Sequence, residues 1–228
     1  MNIPNRFLAC TAAHTLGLMI TLPATAQPAT ARSTPHVDLQ ARLLQAKDDP
    51  KLAEKLLATG AKVATFCANC HGANGNSANP TIPNLAAQHP GFLLAQLRKF
   101  ADGTRRNEFM EGMIKALNAD EKVGAALFYS GQKLAAKPAA NPALAAKGKD
   151  IFSKNCFRCH GDNGLGDETY ARIAGQQSEY LKLTLQRYKS GNGIRVDPLM
   201  DANTRLLSDG DMDAVVAYVS SLPYNSTK

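Results

Sequence analysis

Two short motifs constrain this 228-residue chain more than anything else in it: Cys67-Ala-Asn-Cys70-His71 and Cys156-Phe-Arg-Cys159-His160. Both read Cys-x-x-Cys-His, the spacing of covalent c-type haem attachment. The two thiols add to the two vinyl groups on one edge of a porphyrin, and the imidazole that follows turns back to ligate the iron. A thioredoxin-like redox pair needs no histidine beside it, and zinc or a disulfide framework leaves the doubled histidine unexplained. Cys67, Cys70, Cys156 and Cys159 are therefore the candidate haem-binding residues. His71 and His160 are the candidate proximal iron ligands, and two covalently bound haems are the expected cofactors.

The cysteine count agrees with this once the N-terminus is considered. Arg6 is followed by an apolar run over residues 7–22 and then by Pro23-Ala24-Thr25-Ala26, the layout of a secretory signal. Cleavage is expected after Ala26, with Ala31 as a second site in the repeated Ala-Thr-Ala. Of five cysteines, Cys10 leaves with the signal and four remain, with none left over for a free thiol or a further bridge. An integral membrane bundle is excluded, because no other apolar run approaches the length of a spanning helix.

The two halves match beyond their cysteines. His71-Gly72-Ala-Asn74-Gly75 corresponds to His160-Gly161-Asp-Asn163-Gly164, and Leu85-Ala86-Ala87-Gln88 to Ile173-Ala174-Gly175-Gln176. Phe92-Leu93 corresponds to Tyr180-Leu181, and Gly103 and Gly191 close matched helical patterns. An internal duplication follows, and with it an all-α fold of two tandem haem domains. The expected helices are 50–65, 90–102 and 119–131 in the first half, and 142–155, 178–190 and 208–222 in the second. The expected organisation is a signal at 1–26, a leader at 27–49 with a short helix over 37–46, domains at 50–132 and 142–228, and an Ala/Pro-rich linker at 133–141. No period-2 strand pattern appears. Halves this small need the apolar surface of a buried haem to complete their cores.

What each iron can do depends on its second axial ligand, because a filled site passes electrons while an open one binds small molecules. Four methionines remain after signal removal: Met110, Met113, Met200 and Met212. Met110 and Met200 stand at matching distances from His71 and His160, and they are the candidate distal ligands. Met212 belongs to a core stripe with Val215, Val216 and Val219, while Met113, one helical turn past Met110, stays open as an alternative. His36 and His89 have no counterpart in the other half, and His89, at a helix start before Pro90, reads as a surface residue.

These features resemble the dihaem cytochrome c4 family over about residues 50–224. The resemblance rests on the doubled attachment motif, on His71-Gly-Ala-Asn-Gly-Asn-Ser77, on Pro83-Asn-Leu-Ala-Ala-Gln88 with Phe92-Leu-Leu, and on Met110-Glu-Gly-Met113. In the second half it rests on Asn141-Pro-Ala-Leu-Ala-Ala-Lys-Gly148 and on the interval from Met200 to Leu207-Ser208. It implies two cytochrome c folds packed face to face with haem propionates near their interface, Met110 and Met200 as distal ligands, and periplasmic electron transfer, often toward a terminal oxidase. The family keeps a proline before the Leu-Ala-Gly-Gln run, whose carbonyl orients the proximal imidazole. Pro83 fits, but Ala171-Arg172 stands in the second half, which implies a less rigid loop and a more easily perturbed second haem.

Charge points to the partner. The formal net charge is +7, and residues 27–140 carry 14 basic and 9 acidic side chains against 11 and 10 in residues 141–228. Arg98, Lys99, Arg105 and Arg106 cluster on and just after one helix, a patch suited to an acidic redox partner or an anionic membrane face. Export and the lack of interleaved aromatics disfavour nucleic acid. Enzyme readings are weaker: a thiosulfate-oxidising dehydrogenase uses a cysteine-ligated haem, for which no thiol is spare, and a peroxidase needs acid/base residues over an open iron. A haem-based sensor with an open iron is the remaining alternative to an electron carrier.

Overall fold

The computed structural model describes residues 37–135 and 141–224. The predicted signal and most of the predicted linker lie outside these residues. Ten helices account for the described structure, and no strand occurs among the described residues apart from one isolated bridge, Arg105 to Arg195. Their order is α1 (Leu39–Asp48), α2 (Pro50–His71), α3 (Pro90–Ala101), α4 (Glu108–Ala116), α5 (Ala119–Ser130), α6 (Pro142–Asn155), α7 (Phe157–His160), α8 (Ser178–Ser190), α9 (Pro198–Arg205) and α10 (Asp209–Ser221).

Local sequence explains the starts. Asp49 accepts from the amides of Lys51 and Leu52 with Pro50 at the first helical position, and Asn141 accepts from Leu144 with Pro142 placed likewise. Both arrangements satisfy amides that a helix N-terminus leaves free. Capping boxes open α5 (Asn118 with Glu121) and α10 (Ser208 with Asp211), as the duplication requires.

In each half the first long helix crosses the last one. α2 packs on α5, and α6 on α10, with α3 and α8 closing the sides. Leu56, Leu94, Val123 and Tyr129 centre the first core; Phe152, Leu181, Val215 and Val219 centre the second. Glycine sets the crossings: a Cβ on Gly60 would lie 2.0 Å from the Gly124 carbonyl oxygen, and one on Gly148 would lie 1.9 Å from that of Ala214. α1 is tied to this frame by a two-pronged contact from Arg42 to the Asp120 carboxylate, at 2.8 and 3.1 Å.

The structure revises the sequence reading in two places. α2 does not stop at residue 65 but runs through the attachment motif to His71, whereas in the second half the helix breaks at Cys156 and resumes as α7. The stretches expected to be loops before the last helix of each half contain α4 and α9. These are short helices capped by Asn107 and Asp197, whose mixed composition shows no long apolar period.

One backbone position carries local strain. Ala87 adopts φ 54°, while its duplicate Gly175 has φ 65°. An alanine in the left-handed region costs about 1 kcal/mol. Ala87→Gly is therefore expected to be neutral or to stabilise by up to about 1 kcal/mol, although glycine loosens the unfolded chain. Chemical unfolding of the holoprotein checks this; a loss above that size would show that the strain is absent.

Candidate haem centres and the surface between them

The attachment residues lie in the last turns of α2 and around the single turn of α7, which Cys156 precedes. Cys67, Cys156 and Cys159 are half-buried and Cys70 is exposed. Burial raises the thiol of Cys67, and that of Cys156 to about 11. Directly after each histidine the chain reverses through Gly72 (φ 79°) and Gly161 (φ 71°). A side chain at Gly72 would collide with the Asn76 carbonyl oxygen, so the tight return loop requires glycine there.

That return brings a carbonyl beneath each imidazole. His71 Nδ1 lies 2.9 Å from the Pro83 oxygen, and His160 Nδ1 lies 2.8 Å from the Ala171 oxygen. Donation from Nδ1–H fixes the tautomer and leaves Nε2 with its lone pair for iron. Burial lowers the pKa of both histidines, which keeps them in the neutral form that a metal ligand needs. Both proximal histidines, their anchoring thiols and their orienting carbonyls fit a c-type haem in each half.

The distal candidates occupy equivalent positions on the two short helices. The Met110 amide donates to Asn107 Oδ1 at 2.9 Å, and the Met200 amide to Asp197 Oδ1 at 3.2 Å, so each methionine is the third residue after an N-cap. Burial lowers the His160 pKa, and the charge of Asp197, which caps the Met200 helix, works in the opposite direction. Met212 is 1% exposed on α10, in the core. Phe66, Phe109 and Leu199, the chain neighbours of Cys67, Met110 and Met200, are exposed apolar side chains.

The loop after the second motif is crossed by a buried arginine side chain. Arg172, 1% exposed, donates through Nε to the Ala87 oxygen at 3.1 Å, through Nη2 to Ala86 at 2.9 Å, and through Nη1 to Ala174. The guanidinium braces the loop that Ala171 would otherwise leave less rigid. These bonds give the second loop a support that the expectation of a loosened second site did not include. His89 is also not a free surface residue: its Nε2 lies 2.7 Å from the Leu165 oxygen in the opposite half.

The basic cluster is divided in the same way. Arg98 is exposed, but Lys99 pairs with Asp197 at 3.7 Å and Arg106 with Glu111 at 2.9 Å. Arg105 turns inward, donating to Gln96 at 3.0 Å and to the Tyr180 hydroxyl at 3.1 Å. Arg195, its duplicate, donates to the same hydroxyl at 3.2 Å and to that of Tyr188 at 3.0 Å. Arg105 therefore belongs to the surface between the halves and not to a solvent face. Burial would raise the Tyr180 phenol, but Arg195 and Arg105 together bring it down to about 7.

Tyr180 stands where the first half has Phe92. Tyr180→Phe removes the acceptor that two guanidinium groups share, and stability is expected to fall by about 1–3 kcal/mol. Denaturant unfolding of the holoprotein measures this, and an unchanged midpoint would mean that the hydroxyl holds neither arginine.

Two further pairings between the halves are reciprocal. Gln176 accepts from the Asn84 amide at 2.7 Å and donates to the Asn84 carbonyl at 2.9 Å. Gln88 accepts from the Arg172 amide at 2.8 Å and donates to the Arg172 carbonyl at 3.0 Å. The duplicated Gln88 and Gln176 were visible in the sequence, but what they reach is not encoded by any local pattern.

Comparison with known proteins gives a consistent result. A family model described as cytochrome c matches residues 57–123 and 145–223. The chain is 33% identical over 187 residues to cytochrome c4 of Thiocapsa roseopersicina, covering 76% of this chain and 93% of that one. It is 34% identical over 180 residues to the thiosulfate dehydrogenase electron acceptor of Thiomonas intermedia (strain K12), covering 72% and 82%. The crystal structure of reduced recombinant cytochrome c4 from Pseudomonas stutzeri superposes with a TM-score of 0.67 at 29% identity, covering 72% of this chain and 97% of that one.

Proposed function

The chain belongs to the cytochrome c4 family of dihaem electron carriers, and from that premise we propose a specific ligand set and route. His71 and Met110 ligate the haem held by Cys67 and Cys70, and His160 and Met200 the haem held by Cys156 and Cys159. The two domains divide at 133–141. Each haem, when bound, supplies an iron that exchanges one electron between ferrous and ferric states. With His71 and Met110 holding one iron and His160 and Met200 the other, little would rearrange on electron gain.

The observation that carries this reading is the matched geometry of the halves. Each proximal histidine is oriented through Nδ1 by a backbone carbonyl, and each methionine is the third residue of a capped short helix. Arg105 and Arg195 have no carboxylate partner among the described residues, which supports an interface that would receive haem propionates. The visible spectrum of the oxidised holoprotein tests the ligand set. A sulfur-to-iron band worth two haems, with no carbon monoxide binding after reduction, is expected. A band worth one haem, or rapid carbon monoxide binding, would replace the carrier reading with an enzyme or sensor that has an open iron.

The proposed site of action is the periplasm, reached by the signal at residues 1–26 with cleavage after Ala26 or Ala31. The intact mass of the secreted holoprotein distinguishes the two sites. No helix among the described residues is long and apolar enough to cross a membrane. The proposed acceptor is a terminal oxidase. The name of the Thiomonas relative supports a second reading for the donor, a thiosulfate-oxidising dehydrogenase, and stopped-flow reduction by such an enzyme with thiosulfate tests it directly.

Docking is proposed at Arg98 and Arg106, the exposed members of the basic cluster, with the half-buried Lys99 beside them, toward an acidic partner or an anionic membrane face. Electron-transfer rates are then expected to fall as salt rises through the range in which the Debye length shrinks from about 30 to about 8 Å. Arg98→Glu with Arg106→Glu should slow the reaction at low salt and flatten its salt dependence. A rate already independent of salt in the unaltered protein would remove this surface from consideration.

A further inference from the structure

We propose that Gln88 and Gln176 are positioning residues that work across the boundary between the halves, each tuning the proximal histidine of the opposite haem. The inference rests on the ligation of iron by His71 and His160 and adds a connection that their own domains do not contain.

The connection runs through single peptide groups. The Pro83 carbonyl, which faces His71 Nδ1 at 2.9 Å, shares its peptide unit with the Asn84 N–H, which donates to Gln176 Oε1 at 2.7 Å. The same chain is built in reverse: His160 Nδ1 faces the Ala171 carbonyl at 2.8 Å, and the Arg172 N–H of that peptide unit donates to Gln88 Oε1 at 2.8 Å. The amide orientation is fixed in both cases, because Nε2 faces the carbonyl of residue 84 or 172 while Oε1 faces the N–H. Both side chains are enclosed, at 5% and 4% exposure, so water does not compete for these bonds.

Hydrogen bonds in series polarise one another, and they do so most in a low-dielectric interior. An acceptor on the N–H of a peptide group makes its carbonyl oxygen more negative. The carbonyl then draws more strongly on the imidazole Nδ1–H and makes the imidazole a more basic iron ligand. A more basic ligand favours ferric iron. Loss of the glutamine acceptor therefore raises the potential of the haem in the other half, whereas a glutamine that merely held the domains together would on removal disturb both haems.

The test uses the whole dihaem protein with Gln176→Met and Gln88→Met, which keep the side-chain length and remove the acceptor. Haem-resolved NMR first identifies both iron-ligating imidazoles and their Nδ1–H resonances in the unaltered protein. If those are missing, the ligation reading fails, and not the relay. In Gln176→Met the expected result is an upward shift in the potential of the haem at Cys67 and Cys70, with a displaced His71 Nδ1–H resonance and little change at His160. Gln88→Met should give the mirror result. Should the methionine variants not accumulate haem, Gln176→Glu and Gln88→Glu retain the acceptor with added charge and should lower chiefly the opposite potential. Equal shifts at both haems, a larger shift at the haem of the same half, or no shift overturns the proposal.

Discussion

Replacing Met110 or Met200 with alanine is expected to remove half of the sulfur-to-iron absorption and leave one iron open to carbon monoxide. The two variants should behave alike, because both methionines follow an N-cap by three residues on helices of matched position. A thioether raises the potential of a haem relative to imidazole or water, so the altered haem should also become the lower-potential partner. The equilibrium constant for reducing that haem should then fall tenfold for every ~1.4 kcal/mol of driving force lost. Met113→Ala is the informative control. Met113 lies one turn further along α4 and is half-buried, and its removal should leave the band intact. A band that survives Met110→Ala but disappears in Met113→Ala would reassign the first distal ligand.

The second large effect concerns the helix crossings. Gly148→Ala places a methyl carbon 1.9 Å from a carbonyl oxygen of α10, and Gly60→Ala places one 2.0 Å from a carbonyl oxygen of α5. In both cases the obstacle is backbone, which has no rotamer to change, so the helices themselves must move apart. Overpacking of a core costs about 1–3 kcal/mol and sometimes more; these sites belong at or above the upper end. Reduced haem incorporation and a lower unfolding midpoint are expected. Gly112→Ala provides the contrast, because a Cβ there meets nothing within 4 Å on α4 and should stabilise that helix by up to about 1 kcal/mol. Equal behaviour of the three variants would show that close backbone approach does not set the crossings.

How much of this was legible in the sequence depends on the range of the interaction. The attachment motifs, the duplication and six helices depend on residues close in the chain, and their periodicity or spacing declares them. Met110 and Met200 could be chosen by counting from His71 and His160, even though the helices that carry them were missed. Asn107 and Asp197-Pro198 were the available signals for those helices, being cap residues before short stretches that lack an apolar period. The resemblance implied that the halves meet face to face, but the contacts at their junction were not legible in the residues. Arg105 read as part of a surface patch, His89 as a solvent residue and Ala171-Arg172 as a weak loop. Their partners stand in the other half, between 75 and 86 residues away in the chain, and no local pattern announces such meetings.

The shared hydroxyl of Tyr180 carries one more implication. Two identical subunits meeting about a true dyad must place any residue near that axis twice or not at all, and two phenols would compete for the space between the facing arginines. A tandem chain is free of that rule: phenylalanine at position 92 and tyrosine at position 180 let a single oxygen serve both guanidinium groups. Covalent fusion thus does more than keep two cytochromes together. It permits a junction that no homodimer can form, in which the two irons inherit unequal surroundings from nearly equal folds.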